Sequence, residues 1–247
     1  TKYYSNNVLG TINLLKIMQE FNCKVITFSS SATVYGDIET APINENTKLS
    51  PINPYGENKR EIEGILQDLF NVDNTWSIAI LRFFNPIGAH PSGVIGESPN
   101  EIQNNLMPFI LQAATNTLKT LNIYGDDYRT HDGTGVRDYI HVLDISSGHL
   151  IALDALIKKP QIFTINLGTG KGYSVFDVIK SFEKVSGKKI IFKITERREG
   201  DIAISYSDPS YAKKLLGWSA KYNLDQMCND SWNYFLKNKS SFLKKSK

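Results

Sequence analysis

Sulfur is scarce in this chain of 247 residues, which holds two cysteines, Cys23 and Cys228, and three methionines. Two thiols so distant in sequence build no disulfide framework, which excludes the small secreted scaffolds and favours a reducing, cytoplasmic setting. The four histidines, His90, His131, His141 and His149, show no metal spacing: there is no His-Glu-x-x-His and no cysteine pair nearby, so no metal is expected. No apolar run approaches the ~20 residues of a membrane span, and no signal peptide is expected. Charge of one sign is lacking as well, since 28 basic and 25 acidic residues leave a formal +3. The dense basic patch at 237–247 reads as a solvated terminus, so neither nucleic acid nor a membrane is an expected partner. Internal repeats and low-complexity segments are absent. What remains is an ordinary composition with 41% apolar residues, enough to build one large domain or two modest ones.

Apolar periodicity predicts a helix over 7–20, a strand over 24–29, a helix over 55–70 and a strand over 76–84. A long Gly- and Pro-containing loop follows, then a helix over 106–117, a short strand at 121–124, a charged loop and a helix over 143–158. The last third predicts a strand at 162–167, a helix at 174–185, a strand at 189–194 and two short helices bearing Trp218 and Trp232. Alternation of helix and strand argues for an α/β fold with a parallel sheet and helices on its faces. Gly10 within the first helix costs about 1 kcal/mol relative to Ala, which a close approach to sheet or ligand, or a helix start, would explain.

The chemistry concentrates in residues 28–56 and the helix that follows. Ser29-Ser30-Ser31 end a β-branched run, Tyr35-Gly36 come next, and after a Pro-rich loop Tyr55 and Lys59 stand four residues apart. On a helix that spacing puts both on one face, and Pro54 suits a first helical turn. A phenol of pKa about 10 is a poor base at neutral pH, and an ammonium one turn away is expected to favour its phenolate. With Ser31 bonding the same hydroxyl, the set suits removal of a proton from an alcohol whose carbon loses hydride. The same residues also fit an unremarkable surface pair on an amphipathic helix. A Gly-rich strand-to-helix turn that would hold a pyrophosphate is missing. The nearest candidate, residues 168–173, carries Tyr173 where a glycine is needed and reads better as a tight turn.

Taken in order, Ser29 to Gly36, Tyr55 to Lys59, Arg-Phe-Phe-Asn-Pro-Ile-Gly-Ala-His at 82–90, residues 104–108, Asp-Gly-Thr-Gly-Val-Arg-Asp-Tyr-Ile-His at 132–141 and Arg-Arg-Glu-Gly-Asp at 197–201 resemble the UDP-glucose (UDP-galactose) 4-epimerase family of the extended short-chain dehydrogenase/reductase superfamily. The resemblance implies a Rossmann-like sheet with its first strands missing and a smaller α+β substrate domain. Residues 1–86, with contributions from about 137–170, would be the remaining part of the NAD-binding domain, and 87–136 with 171–247 the UDP-sugar-binding domain. The implied activity is interconversion of UDP-glucose and UDP-galactose through a 4-keto sugar: Tyr55 takes the proton of the 4-hydroxyl, NAD takes and returns the C4 hydride, Lys59 lowers the pKa of Tyr55 and touches the nicotinamide ribose, and Ser31 bonds the 4-oxygen. Asn6 and Phe84 would line the nicotinamide half of the cofactor, though core packing accounts for Phe84 equally well.

For the UDP-sugar the resemblance implies Asn85, Asn105 and Leu106 on the diphosphate side, and Asn122, Ile123 and Tyr124 at the uracil. Arg137 and Arg198 would pair the phosphates, and Asp201 the ribose. Ser205, a small residue at the position that gates the sugar pocket, would also admit N-acetylated sugars, that is UDP-GlcNAc and UDP-GalNAc. A dehydratase or reductase of the same superfamily is the alternative, but dehydratases carry acidic residues where Ser31-Ala32-Thr33 stand here. The resemblance further implies a homodimer when full length and a role in galactose metabolism. The Gly-rich turn of the family would precede Thr1, so the chain reads as a fragment that binds NAD poorly alone; a catalytically silent module is the remaining reading.

Overall fold

The computed structural model describes residues 3–38, 41–98 and 105–238. A π-helical stretch, Tyr4–Leu9, continues into α1 (Gly10–Glu20), followed by β1 (Val25–Ser31), α2 (Pro54–Val72), β2 (Ser77–Phe83), β3 (Asn85–Ile87) and α3 (Leu106–Ala114). Next come β4 (Leu121–Tyr124), β5 (Val136–Arg137), β6 (Tyr139–His141), α4 (Val142–Lys158), β7 (Ile162–Leu167) and β8 (Tyr173–Ser174). The chain ends with α5 (Val175–Ser186), β9 (Phe192–Thr195), β10 (Ile204–Ser205), α6 (Ser210–Leu216) and α7 (Leu224–Lys237). These fall into two compact units: residues 1–84, 146–170 and 207–219, and residues 85–145, 171–206 and 220–247.

The first unit is built on a parallel sheet of order β1-β2-β7, with Ile26 opposite Ile78 and Ile78 opposite Ile162. β2 is central and buried from Ser77 to Arg82, which is why its sequence is a near-continuous apolar run. α2 starts where the Asn53 side chain accepts the Gly56 N–H at 2.8 Å and Pro54 fills the first turn, a helix-start chemistry that satisfies an otherwise orphaned donor. Its apolar face, Ile62 and Leu66, packs with Leu15, Trp76, Ile78 and Ile80. A second cluster joins Val34, Tyr35, Ile43 and Phe84.

In the second unit, α3, α5 and α7 share a core in which Phe182 and Trp232 meet edge-on at 5.6 Å between ring centroids. Capping boxes start α5 (Ser174 with Asp177) and α7 (Asn223 with Gln226). Three small sheets, β3-β6, β4-β9 and β10-β5-β8, complete it.

Several expectations are corrected. Gly10, the first residue of α1, has no protein atom within 4 Å of where a Cβ would stand, so no approach to the sheet explains it. The strand expected at 189–194 begins at Phe192, because Ile190 is drawn into the core and its N–H is bonded to the Glu183 carboxylate at 2.8 Å. Trp218 lies beyond the end of α6 rather than on it. Residues 137–145 belong to the second unit and 207–219 to the first. Residue 104, part of the 104–108 motif, lies outside the described residues. Among the described residues no helix is long and apolar enough to cross a membrane.

Candidate active site and nucleotide cavity

In the first unit the carboxyl end of β1 and the start of α2 bring the proposed proton-handling residues together. A Cβ on Gly56 would stand 2.6 Å from the Thr33 carbonyl oxygen, so only glycine lets the first turn of α2 approach the segment following β1 this closely. The preceding residue, Tyr55, is half-buried beside Ser31, whose hydroxyl favours its phenolate. Ser31 in turn accepts from the Thr33 N–H at 3.2 Å and hydroxyl at 2.9 Å. One helical turn along, the Lys59 ammonium donates to the Ser29 carbonyl at 2.8 Å and lies 4.9 Å from the Phe28 ring centroid and 5.6 Å from that of Tyr55.

The electrostatics correct one expectation. Burial raises the Tyr55 pKa above the ordinary phenol value, with the Ser31 hydrogen bond opposing and Tyr3, whose ring centroid is 6.2 Å away, adding to the rise. The Lys59 ammonium is directed at the Ser29 carbonyl, and burial lowers its own pKa against the pull of Glu63. In this arrangement Tyr55 is a protonated phenol at neutral pH.

Of the other residues proposed for the cofactor, Asn6 is exposed on the π-helical stretch, its amide donating to the Asn7 side chain at 3.0 Å. Phe84 is buried within the Val34, Tyr35 and Ile43 cluster, a core position. The donor set at the β1 end, a phenol, an ammonium and a serine hydroxyl, matches the hydroxyls of a nicotinamide riboside in chemistry. In the first unit, residues 168–170 simply follow β7, and β8 intervenes before α5, so this stretch is not a strand-to-helix phosphate turn.

The second unit holds a cavity of about 270 Å³. Nine of the ten residues expected to hold a UDP-sugar line it: Asn85, Asn105, Leu106, Asn122, Ile123, Tyr124, Arg137, Arg198 and Asp201. Arg198 is oriented by two hydrogen bonds to Asp201, at 2.9 and 3.2 Å, and its guanidinium lies 4.7 Å from the Tyr124 ring centroid. The Arg137 guanidinium donates to the Val136 carbonyl at 2.9 Å. Two guanidinium groups, amide side chains and aromatic walls suit phosphates and a flat base. Ser205 is buried in β10, paired with Arg137 across to β5, and is not among the lining residues.

Tyr128 and Tyr139 also line this cavity and were not expected from the sequence. Nor was the convergence of His131, Asp132 and Asp177; there Asp132 accepts from Thr134 and Ser174, and Asp177 from the Ser174 N–H, a polar knot around the start of α5.

With the carboxyl end of a parallel sheet bearing Ser31, Tyr55 and Lys59, and an Arg-lined nucleotide cavity in a second unit, the molecule has the parts of a nucleotide-sugar-modifying member of the extended short-chain dehydrogenase/reductases. A family model described as GDP-mannose 4,6 dehydratase matches residues 1–231. UDP-glucose 4-epimerase of Bacillus subtilis is 54% identical over 94% of this chain and 69% of the relative. Among solved structures, UDP-glucose-4-epimerase of Stenotrophomonas maltophila, with bound NAD and formylated UDP-arabinopyranose, superposes with a TM-score of 0.95 at 44% identity, covering 97% of this chain and 71% of that one. The Bifidobacterium longum UDP-glucose 4-epimerase, in complex with NAD+ and UDP, gives 0.92 at 50% identity, covering 98% and 72%. The chain belongs to the UDP-glucose 4-epimerases.

Proposed function

We propose that this chain carries the proton-transfer site and UDP cavity of an NAD-dependent UDP-sugar 4-epimerase, interconverting UDP-glucose and UDP-galactose. The observation that carries the reading is the gathering of Tyr55 beside the Ser31 hydroxyl at the end of β1, with Lys59 one helical turn along. Asn6, Ser31, Tyr55 and Lys59 would hold the nicotinamide half of the cofactor. When bound, NAD supplies the hydride acceptor and donor at C4. Ser31 orients the 4-oxygen and Tyr55 accepts its proton, then returns it once the sugar has presented its other face. Because burial favours the protonated phenol, one proton passes from Tyr55 to solvent before the first turnover, and each cycle then restores the phenolate by returning the proton it took. A fixed cation close by lowers that cost, and Lys59 is the cation at hand.

In the second unit, Arg137 and Arg198 hold the diphosphate, Asp201 the ribose and Asn122 to Tyr124 the uracil, so the nucleotide stays anchored while the hexose turns. Hydroxyls rather than carboxylates at Ser31 and Thr33 favour epimerisation over the dehydration that gives the matching family model its name. Intact enzyme supplied with NAD and UDP-galactose is expected to return UDP-glucose, an isomer neither oxidised nor dehydrated, and the 247-residue chain alone to turn over little or nothing. A 4-keto-6-deoxy product would overturn the assignment, and absorbance of the purified protein tests for retained NAD.

The small Ser205 extends the reading to N-acetylated UDP-sugars. Intact enzyme is expected to act on UDP-GlcNAc, and Ser205→Tyr to abolish that activity while sparing UDP-glucose; wild-type inactivity toward the N-acetyl sugar ends the idea. The apolar strip Leu14, Ile17 and Phe21 on and beside α1, with Phe21 80% exposed, supports a homodimer in which a second copy covers it. A monomeric sedimentation profile at micromolar concentration would count against that. A reducing, cytoplasmic location fits the free thiols of Cys23 and Cys228.

A further inference from the structure

Beneath the Tyr55–Lys59 pair lies a buried ionic cluster that the reaction as described leaves without a task. Glu63, four residues after Lys59 on α2, is 5% exposed, and Arg82 of β2 is 6% exposed. Arg82 grips Glu63 with its Nε at 3.0 and 3.2 Å and its Nη2 at 2.6 Å. Ser30 of β1 donates its hydroxyl to the same carboxylate at 2.5 Å. The cluster continues outward: Arg82 Nη1 donates to the Tyr35 hydroxyl at 3.1 Å, and Tyr35 donates to the Asn166 side chain of β7 at 2.7 Å. The Glu45 carboxylate accepts the Asn166 N–H at 2.7 Å.

A buried ion pair of this kind is weak evidence for stability, since desolvation offsets most of the attraction. Its location is more telling. Ser30 lies between Ser29, whose carbonyl holds Lys59, and Ser31, whose hydroxyl stands beside Tyr55. Glu63 therefore ties α2 to β1 at the residue between the two that receive the proton-handling side chains. We propose that Glu63 is a positioning residue for Lys59: clamped by Ser30 and Arg82, it fixes the register of α2 on β1 and supplies the counter-charge that Lys59 meets on its own helix.

The charged and titratable groups around Lys59 can be named element by element. Tyr55 and Glu63 share its helix, β1 presents the Ser29 carbonyl, β2 presents Arg82 behind Glu63, and His149 of α4 bonds the Ser29 hydroxyl at 2.7 Å. Tyr3 faces Tyr55 from the N-terminal side, and Tyr35 and Glu45 lie beyond Arg82. Of these, Glu63 is the group whose charge opposes the effect of burial on Lys59.

The inference rests on reading Tyr55 and Lys59 as the proton-transfer pair, and its test needs no turnover. Competitive acetylation of the 247-residue chain across pH, with the Lys59 peptide quantified by mass spectrometry against exposed Lys213, reports the ionisation midpoint of Lys59. In Glu63→Gln the midpoint is expected to move down by about one pH unit, and in Glu63→Asp to stay near wild type. A helix merely loosened by the substitution would raise the labelling plateau and leave the midpoint in place. An unchanged midpoint in folded Glu63→Gln, or a Glu63→Asp midpoint displaced as far as that of Glu63→Gln, would overturn the proposal. Should Glu63→Gln fail to fold, the double variant Glu63→Gln/Arg82→Gln is compared with Arg82→Gln, so that the two differ by the charge of Glu63 alone and the same downward shift is expected between them. A midpoint that moves while intact enzyme does not epimerise UDP-galactose would sink the functional reading and leave this one standing.

Discussion

Replacing Arg198 with alanine should weaken UDP binding about tenfold, and the number can be worked from its surroundings. The guanidinium is already oriented by Asp201 and by the Tyr124 ring, so little side-chain entropy is lost when a phosphate arrives. A hydrogen bond to a charged partner contributes about 1.5–3 kcal/mol. The side chain is 45% exposed, which screens the interaction and puts it near the lower end, about 1.5 kcal/mol, or about tenfold in affinity. Calorimetric titration with UDP at low and moderate salt reads both the loss and its origin. Wild-type affinity should fall as salt is raised, and Arg198→Ala should show a shallower fall. Asp201→Asn, which unties the guanidinium without removing it, should cost about three- to tenfold. If Arg198→Ala binds UDP within twofold of wild type at low salt, the cavity is not a diphosphate site and the argument from its lining fails.

Tyr55→Phe removes only the phenolic oxygen and should abolish epimerisation while leaving the thermal midpoint nearly unchanged; residual turnover near wild type would assign the proton to another group. Gly56→Ala should destabilise the protein by about 1–3 kcal/mol, because the new Cβ meets the Thr33 carbonyl. It should lower kcat more than the KM for UDP-galactose, and equal effects on both would contradict the positioning role of that contact. Burial pushes the phenols of Tyr35 and Tyr139 up to about 12. Both are more acidic in the unfolded chain, so the stability they contribute is intact below about pH 10 and is lost as pH climbs toward 12. Urea unfolding across that window should show the decline, and Tyr139→Phe should flatten it.

Legibility in the sequence followed element length and the number of independent signals. β4 and β7 are legible to the residue because in each an alternating apolar pattern, Leu121 and Ile123 or Phe163, Ile165 and Leu167, is closed by a glycine. β5, β8 and β10 were missed because a two-residue strand has no period to detect. Nine cavity residues were found through family resemblance; nothing in the spacing of Asn85, Asn122 and Arg198 shows that a chain brings them to one cavity. Helical spacing and a strand end predict that Tyr55, Lys59 and Ser31 come together, as they do in the fold, whereas the raised Tyr55 pKa has no signal in the sequence, since burial is a property of the folded molecule. Glu63 and Arg82 were overlooked because charges on helices and strands usually face water. The signal was there: Arg82 closes the apolar stretch of β2, and Glu63 sits among Ile62 and Leu66 on the buried side of α2.

The proposed proton chemistry falls in one unit and every residue lining the proposed nucleotide cavity in the other, and this division has an evolutionary reading. Drift in the Arg198 or Asn122 neighbourhood can retune which nucleotide is gripped without touching the acid–base apparatus, so new substrates become reachable by small steps. The converse freedom is narrow: one helix carries the phenol, the ammonium and their ionic brace, and a substitution that slides it displaces all three together.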